Sequence, residues 1–173
     1  FIKKFNVSLK RLNLDYVDIF LLHNVGSREV ALDPALLEAM IRFKKEGKAR
    51  FIGVSTHINE PEVIKAAAES NIYDVVMTAY NFRQPHWIEV KNAIAMAAKA
   101  GLGIIAMKIM AGAFWDRERK RPINKAAALK WVLQDENVHN ALAGITSFDH
   151  LKEDLSVMKN RQLTSQEIKD LQL

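Results

Sequence analysis

Two side chains interrupt apolar runs that otherwise read as buried strands, and both could do chemistry. His23 follows Ile19-Phe20-Leu21-Leu22, and an imidazole projecting from the end of a rigid strand can donate to, or polarise, a carbonyl oxygen near neutral pH. The plainer reading is a histidine that only hydrogen-bonds a loop carbonyl. Lys108 breaks Ile105-Ala106-Met107-Lys108-Ile109-Met110, where an unpaired charge would be costly, so something should satisfy it. Such a lysine could form an imine with a carbonyl substrate, clamp a substrate carbonyl or a cofactor phosphate, or merely pair with a neighbouring carboxylate. A third candidate is the turn from Gly144 to Asp149. There Ser147 can cap a helix whose free N–H groups would receive phosphate, although every strand-to-helix turn offers some free amides.

Other chemistries are poorly supplied. The 173 residues contain no cysteine, hence no disulfide, thiolate zinc site or cysteine nucleophile, and the five histidines never fall at a metal-ligand spacing. The net charge of +5 invites a polyanionic partner, but the lysines and arginines are scattered. The densest run, Arg117 to Arg121, mixes acids with bases and leads into Pro122, which reads as a solvated loop. No nucleic-acid partner is expected. No apolar run approaches the roughly 20 residues needed to cross a bilayer, and no signal peptide precedes the first helix, so the expectation is a cytoplasmic protein without a membrane partner. The chain opens on Phe1 rather than methionine, which leaves room for a targeting segment upstream.

The elements that must position these residues alternate strictly. Apolar residues recur helically from Phe1 to Asn13, and Val17 to Leu22 reads as a buried strand. Asp33 and Pro34 open a helix through Leu36, Leu37, Met40 and Ile41 that Gly47 stops, and a strand follows at Phe51 to Val54. Asn59 with Glu62 resembles a capping box for a helix to Glu69, and Tyr73 to Tyr80 reads as a strand. A helix from Trp87 to Ala100, a strand from Gly103 to Met107, a helix from Lys125 to Leu133 and a strand from Ala141 to Ile145 continue the alternation. Ser147 caps a helix through Leu151 and Leu155, and Thr164 with Glu167 opens a last helix reaching Leu173.

Short, non-alternating apolar runs are what parallel strands buried on both faces look like, and helical crossovers are the connections they demand. Either an open doubly wound sheet or a closed barrel fits. No glycine fingerprint follows the first strand, where His23-Asn24-Val25-Gly26-Ser27 stands instead. In a (β/α) barrel the strand ends carry the chemistry. Here they are His23-Asn24, Ser55-Thr56-His57, Tyr80-Asn81, Lys108 and Thr146-Ser147.

The stretch Ser8-Leu9-Lys10-Arg11-Leu12-Asn13-Leu14-Asp15-Tyr16-Val17-Asp18-Ile19-Phe20-Leu21-Leu22-His23 resembles the signature that leads into the fourth barrel strand of aldo-keto reductases. The likeness continues through Gly47-Lys48-Ala49-Arg50-Phe51-Ile52-Gly53-Val54-Ser55, then Ala79-Tyr80-Asn81, and ends at Gly144 to Leu155. It implies an α/β chain of five parallel strands alternating with helices, residues 1–173 being the C-terminal portion of one TIM-type (β/α)8 barrel, strands four to eight, with the first three βα units absent. Such a piece would leave open edges through which it could self-associate.

The resemblance further implies reduction of a small aldehyde or ketone with NADPH or NADH by the full-length parent, the fragment being inactive alone. Of the family's catalytic tyrosine, lysine, aspartate and histidine, only the histidine is present, at His23; Tyr16 and Tyr80 do not match the tyrosine. It places Ser55 and Thr56 at the nicotinamide carboxamide, Thr56 replacing a frequent asparagine, Met77 a common glutamine, and Met107, followed by Lys108, the aromatic that often stacks on nicotinamide. Thr146, Ser147, His150, Glu153 and Asp154 fall at the adenosine end. There Gly144 and His150 stand where NADPH-preferring members carry lysine and arginine, which leaves the cofactor choice open. Two other readings remain: a barrel that holds cofactor as a sensor or scaffold, like potassium-channel β subunits, and an imine-forming lyase built on Lys108.

Overall fold

A computed structural model of the chain describes residues 2–172. Phe1 and Leu173, assigned above to the first and last helices, lie outside the described residues. The elements are α1 (Ile2–Leu12), β1 (Val17–Leu22), α2 (Arg28–Ala31), α3 (Pro34–Lys45), β2 (Ala49–Thr56), α4 (Glu60–Ser70), β3 (Val75–Ala79), α5 (Trp87–Lys99), β4 (Gly103–Met107), α6 (Lys125–Leu133), β5 (Asn140–Ala141), α7 (Phe148–Val157) and α8 (Ser165–Asp170).

The five strands are all parallel and pair in chain order, β1-β2-β3-β4-β5. A doubly wound sheet would reverse direction at a switch point; an unbroken order is that of a barrel wall, and the chain forms a partial barrel. Because the strands are parallel, all five C-terminal ends fall on one edge, which is where the polar residues following each apolar run collect.

The two faces of the sheet differ. On the helix side Ile52, Val54, Val76, Ile104 and Ala106 are fully buried against α3, α4 and α5. On the other face the paired residues Ile19 and Phe51 remain 42% and 43% exposed. Phe5, Phe20 and Phe43 join α1, β1 and α3 through ring centroids 4.1 to 5.4 Å apart, and Trp131 of α6 meets Tyr80, Phe82 and Trp87. At Gly53 a Cβ would stand 2.0 Å from the Val75 carbonyl oxygen, so the β2–β3 pairing requires glycine at that position.

Several elements depart from the sequence reading. β2 extends at both ends, to Ala49 and Thr56. β3 is shorter than Tyr73 to Tyr80: the Tyr73 hydroxyl donates to Ala31 O at 2.8 Å, and the Asp74 carboxylate accepts from Ile52 N and Lys44 Nζ. Asn59 does not form a capping box. It sits in the left-handed region (φ 52) and its amide donates to Gly26 O at 2.7 Å, tying the β1–α2 loop to the start of α4. The fifth strand covers Asn140–Ala141 rather than Ala141 to Ile145. Among the described residues its neighbour is β4, which leaves the sheet at Lys108 (φ 57), and Leu142, bonded to Ala106 O, is the last of them with a ladder partner. At α8 the Thr164–Glu167 capping box is present as expected.

Candidate functional site

His23 directly follows β1, in the turn after Leu22, and is exposed. Its backbone is held from both sides by one residue. Ser55 Oγ accepts from Asn24 N at 3.2 Å and donates to Leu22 O at 3.4 Å, while Val25 N donates to Ser55 O at 2.8 Å. The chain then turns through a left-handed Asn24 (φ 58). Ser55 thus brackets His23 and fixes the strand end from which the imidazole projects. The His57 ring lies edge-on to His23, centroids 6.1 Å apart, and its Nδ1 is buried without a hydrogen-bond partner among the described residues. The sequence had set His57 among the strand-end residues without giving it a role.

Thr56 is placed differently from its neighbour. Successive strand residues face opposite ways, and Thr56, paired with Thr78 and fully buried, donates its hydroxyl to Ile58 O at 2.8 Å. With that hydroxyl spent inside the loop, Thr56 offers nothing to the face that Ser55 and His23 share. Met77 and Met107 are half-buried on that face, in register with Ser55 and Ala79. Tyr80, by contrast, is buried on the helix side and donates to Asp135 Oδ2 at 3.1 Å; burial, then the aspartate's charge, pushes its hydroxyl well above the usual tyrosine range. Its hydroxyl is thus committed to Asp135.

Lys108 corrects the sequence reading. Rather than lying enclosed in a strand, it follows the last residue of β4, takes a left-handed backbone and is exposed. The enclosure that activates an imine-forming lysine is missing. Three further residues in the following loop have positive φ: Ala111 at 47°, Gly112 at 94° and Ala113 at 69°. Each non-glycine residue so placed costs on the order of 1 kcal/mol and persists only where its surroundings hold it, commonly at functional sites. Here Asn81 Nδ2 donates to Lys108 O at 3.2 Å, Ala111 N to the same oxygen at 3.0 Å, and Arg83 Nη1 to Phe114 O at 3.0 Å.

This loop walls a cavity of about 430 Å³ lined by Lys108 to Ala113, Lys125, Leu142, Gly144, His150 and Asp154. It brings together Lys108, His150 and Asp154, which the sequence had singled out, with Lys125, which it had not. Thr146 and Ser147 sit behind the imidazole: Thr146 Oγ1 lies 3.2 Å from His150 Nδ1, and Ser147 caps α7 by accepting from His150 N. Lys125 Nζ donates to His150 Nε2 at 2.9 Å. Burial, then the charge of Glu153, raises the Asp154 carboxyl above the usual carboxylate range, against the pull of His150 and Lys125. Glu153 lines an adjoining polar cavity with Arg121, Lys125, Lys169 and Asp170. His23 and Ser55 are not among the residues lining either cavity; they stand at the other end of the same sheet edge.

Comparison with known proteins bears on the family and the fold. An uncharacterized oxidoreductase of Bacillus subtilis (strain 168), YqkF, is 26% identical over 194 residues, covering 95% of this chain and 62% of its own length. L-glyceraldehyde 3-phosphate reductase of Escherichia coli (strain K12) is 23% identical over 206 residues, covering 93% and 59%. The chain therefore spans about three fifths of the curated relatives it matches. Among solved structures, the holo form of an aldo-keto reductase from Bacillus halodurans superposes with a TM-score of 0.74 at 23% identity, over 99% of this chain and 65% of that one. Residues 1–127 match the family model described as the aldo/keto reductase family, and with that match over a wall of consecutive parallel strands, the chain belongs to this family.

Proposed function

We propose that this chain carries the dinucleotide-binding side of a carbonyl reductase barrel that uses NADPH or NADH to reduce a small aldehyde or ketone. The observation that supports it most is one sheet edge bearing an exposed imidazole at the end of β1 and a cationic cavity beyond the ends of β4 and β5. That donor set fits a dinucleotide: Lys108, Lys125 and His150 are suited to phosphate oxygens, and the thioethers of Met77 and Met107 offer soft apolar surface to a nicotinamide ring. The dinucleotide, when bound, supplies the hydride.

The chain's own residues then orient and polarise. His23, fixed by Ser55, donates to the carbonyl oxygen of the substrate, favouring charge development there. The strained loop from Lys108 to Ala113 holds its backbone N–H groups in place before anything binds. Thr146 and Ser147 fix His150, and Glu153 and Asp154 are assigned to the ribose and adenine hydroxyls and amines. The reduction itself belongs to the complete barrel, and this chain alone binds cofactor without turning it over.

Titration with NADPH and NADH, followed by nicotinamide fluorescence, is expected to show binding of at least one. In the complete protein His23→Ala is expected to lower kcat by about 10²-fold or more while leaving cofactor affinity unchanged. Unaltered turnover in that variant would remove His23 from the mechanism, and absence of binding to the folded protein would remove the cofactor reading.

A further inference from the structure

Glu60 is a carboxylate with no part in the chemistry above, yet it is only 3% exposed. Burying a charge is costly unless it is paired and hydrogen-bonded, and both oxygens of Glu60 have a partner. Gln84 Nε2 donates to Oε1 at 3.0 Å, and Nε2 of the half-buried His86 lies 2.9 Å from Oε2. An ionised carboxylate only accepts, so the imidazole nitrogen donates. As the first residue of α4, the carboxylate also meets the positive end of that helix dipole. The charge is therefore held in place, and it holds in turn two residues that belong to a different strand end.

Those residues lie in the segment 81–86 after β3, which grips the loop after β4. Gln84 Oε1 accepts from Asn81 N at 2.9 Å, while the amide bonded to Glu60 also reaches Ala79 O at 3.3 Å. Asn81, 7% exposed, is oriented by this: its Oδ1 accepts from Arg83 N at 3.1 Å, which leaves Nδ2 to donate to Lys108 O. Beyond the bond from Tyr80 N to Met107 O, the Asn81 side chain thus does what a further backbone N–H would do, at the point where β4 turns left-handed. Arg83 adds bonds to Ala111 O at 3.5 Å and Phe114 O at 3.0 Å, its guanidinium 4.9 Å from the centre of the Trp115 ring. Three carbonyls of the strained loop, at residues 108, 111 and 114, are held by a segment that is itself tied to Glu60.

We propose that Glu60 is a positioning residue: through Gln84 and Asn81 it sets the left-handed turn at Lys108, and with it the loop that walls the cavity. The inference rests on the cofactor reading above for what that loop serves. It makes α4, which follows the strand end of Ser55 and Thr56, the support for a wall built two strands away.

The test reads the loop and the ligand separately. The Ala111 and Ala113 N–H groups are bonded within the turn, so their exchange with solvent deuterium, followed by mass spectrometry, reports on it. In Glu60→Ala, exchange across residues 108–114 should be about 10-fold faster or more, with residues 144–154 on the opposite wall unchanged. Gln84→Met, which leaves Glu60 its bond from His86, should loosen the same loop. Glu60→Gln, whose amide oxygen still accepts from Gln84, should restore it. Both loosened variants should bind NADPH about 10-fold more weakly. Unchanged exchange at 108–114 would overturn the proposal, and so would faster exchange throughout the chain in both variants, which would make the network a general support of the fold. A loosened loop with NADPH affinity intact would overturn it too, by showing that the turn does not serve the site. Absence of NADPH binding by the unaltered, folded chain would sink the cofactor reading instead, and exchange at 108–114 would then decide the role of Glu60 alone.

Discussion

Single residues decide what the sheet edge can do, and they were unequally legible. His23 could be read from the sequence because an apolar strand ends in an imidazole. Lys108 could not, because its apolar flanks hide a left-handed turn that no glycine marks. Lys125 carried no signal of its own; its place depends on α6 meeting α7 at a residue 25 positions away. The clearest residue-level consequence concerns Ser55, which is buried and bonded to the residues on both sides of His23. Ser55→Ala should cost about 1 kcal/mol of stability, from a hydrogen bond lost at a buried site. It should also lower kcat in the complete protein with cofactor affinity little changed, a split that steady-state kinetics beside a denaturant titration would read. Stability loss without any change in kcat would mean that Ser55 does not position His23.

At the scale of elements, the alternation of the longer helices with the strands was readable because the two hydrophobic periods differ so plainly. The misreadings fall where a tertiary partner decides. The last strand stops early because β4 turns away from it at Lys108, and Asn59 gives up its cap to reach Gly26. α2 spans only Arg28–Ala31, too short for a period to show. The capping box of α8 was legible, and it has a consequence the motif alone does not reveal. Glu167 also accepts from Lys130 of α6 at 2.7 Å, and that bond, ahead of the one from Thr164 N, holds its carboxyl below the usual range. A depressed folded value means stabilisation that is present above the unfolded carboxylate pKa and is lost as pH falls through the folded one. Glu167→Gln should therefore melt lower than the unaltered chain at pH 7, by on the order of 1 kcal/mol, with the gap narrowing as acid protonates the carboxylate. A gap that does not change with pH at all on acidification would show that ionisation of Glu167 is not what docks α8.

For the molecule as a whole, strand order is what ties site to fold. Parallel strands paired in sequence place His23, Ser55, Met107 and the cavity of Lys108, Lys125 and His150 along one edge, while the opposite, helix-covered face carries the core. The family resemblance was readable from the strand-end motifs; the cavity was not, since it forms only where the loop after β4 and the start of α6 come against the β5–α7 turn. Among the described residues no helix is long and apolar enough to cross a membrane. The central claim is that a dinucleotide lies along this edge, and backbone amide exchange, read by mass spectrometry with and without NADPH, tests it most directly. Protection should appear in peptides spanning residues 108–113 and 144–154, and around His23 and Ser55, with the helix-covered face unchanged. Saturating NADPH that leaves these segments exchanging as before, or that protects a different face, would contradict the account.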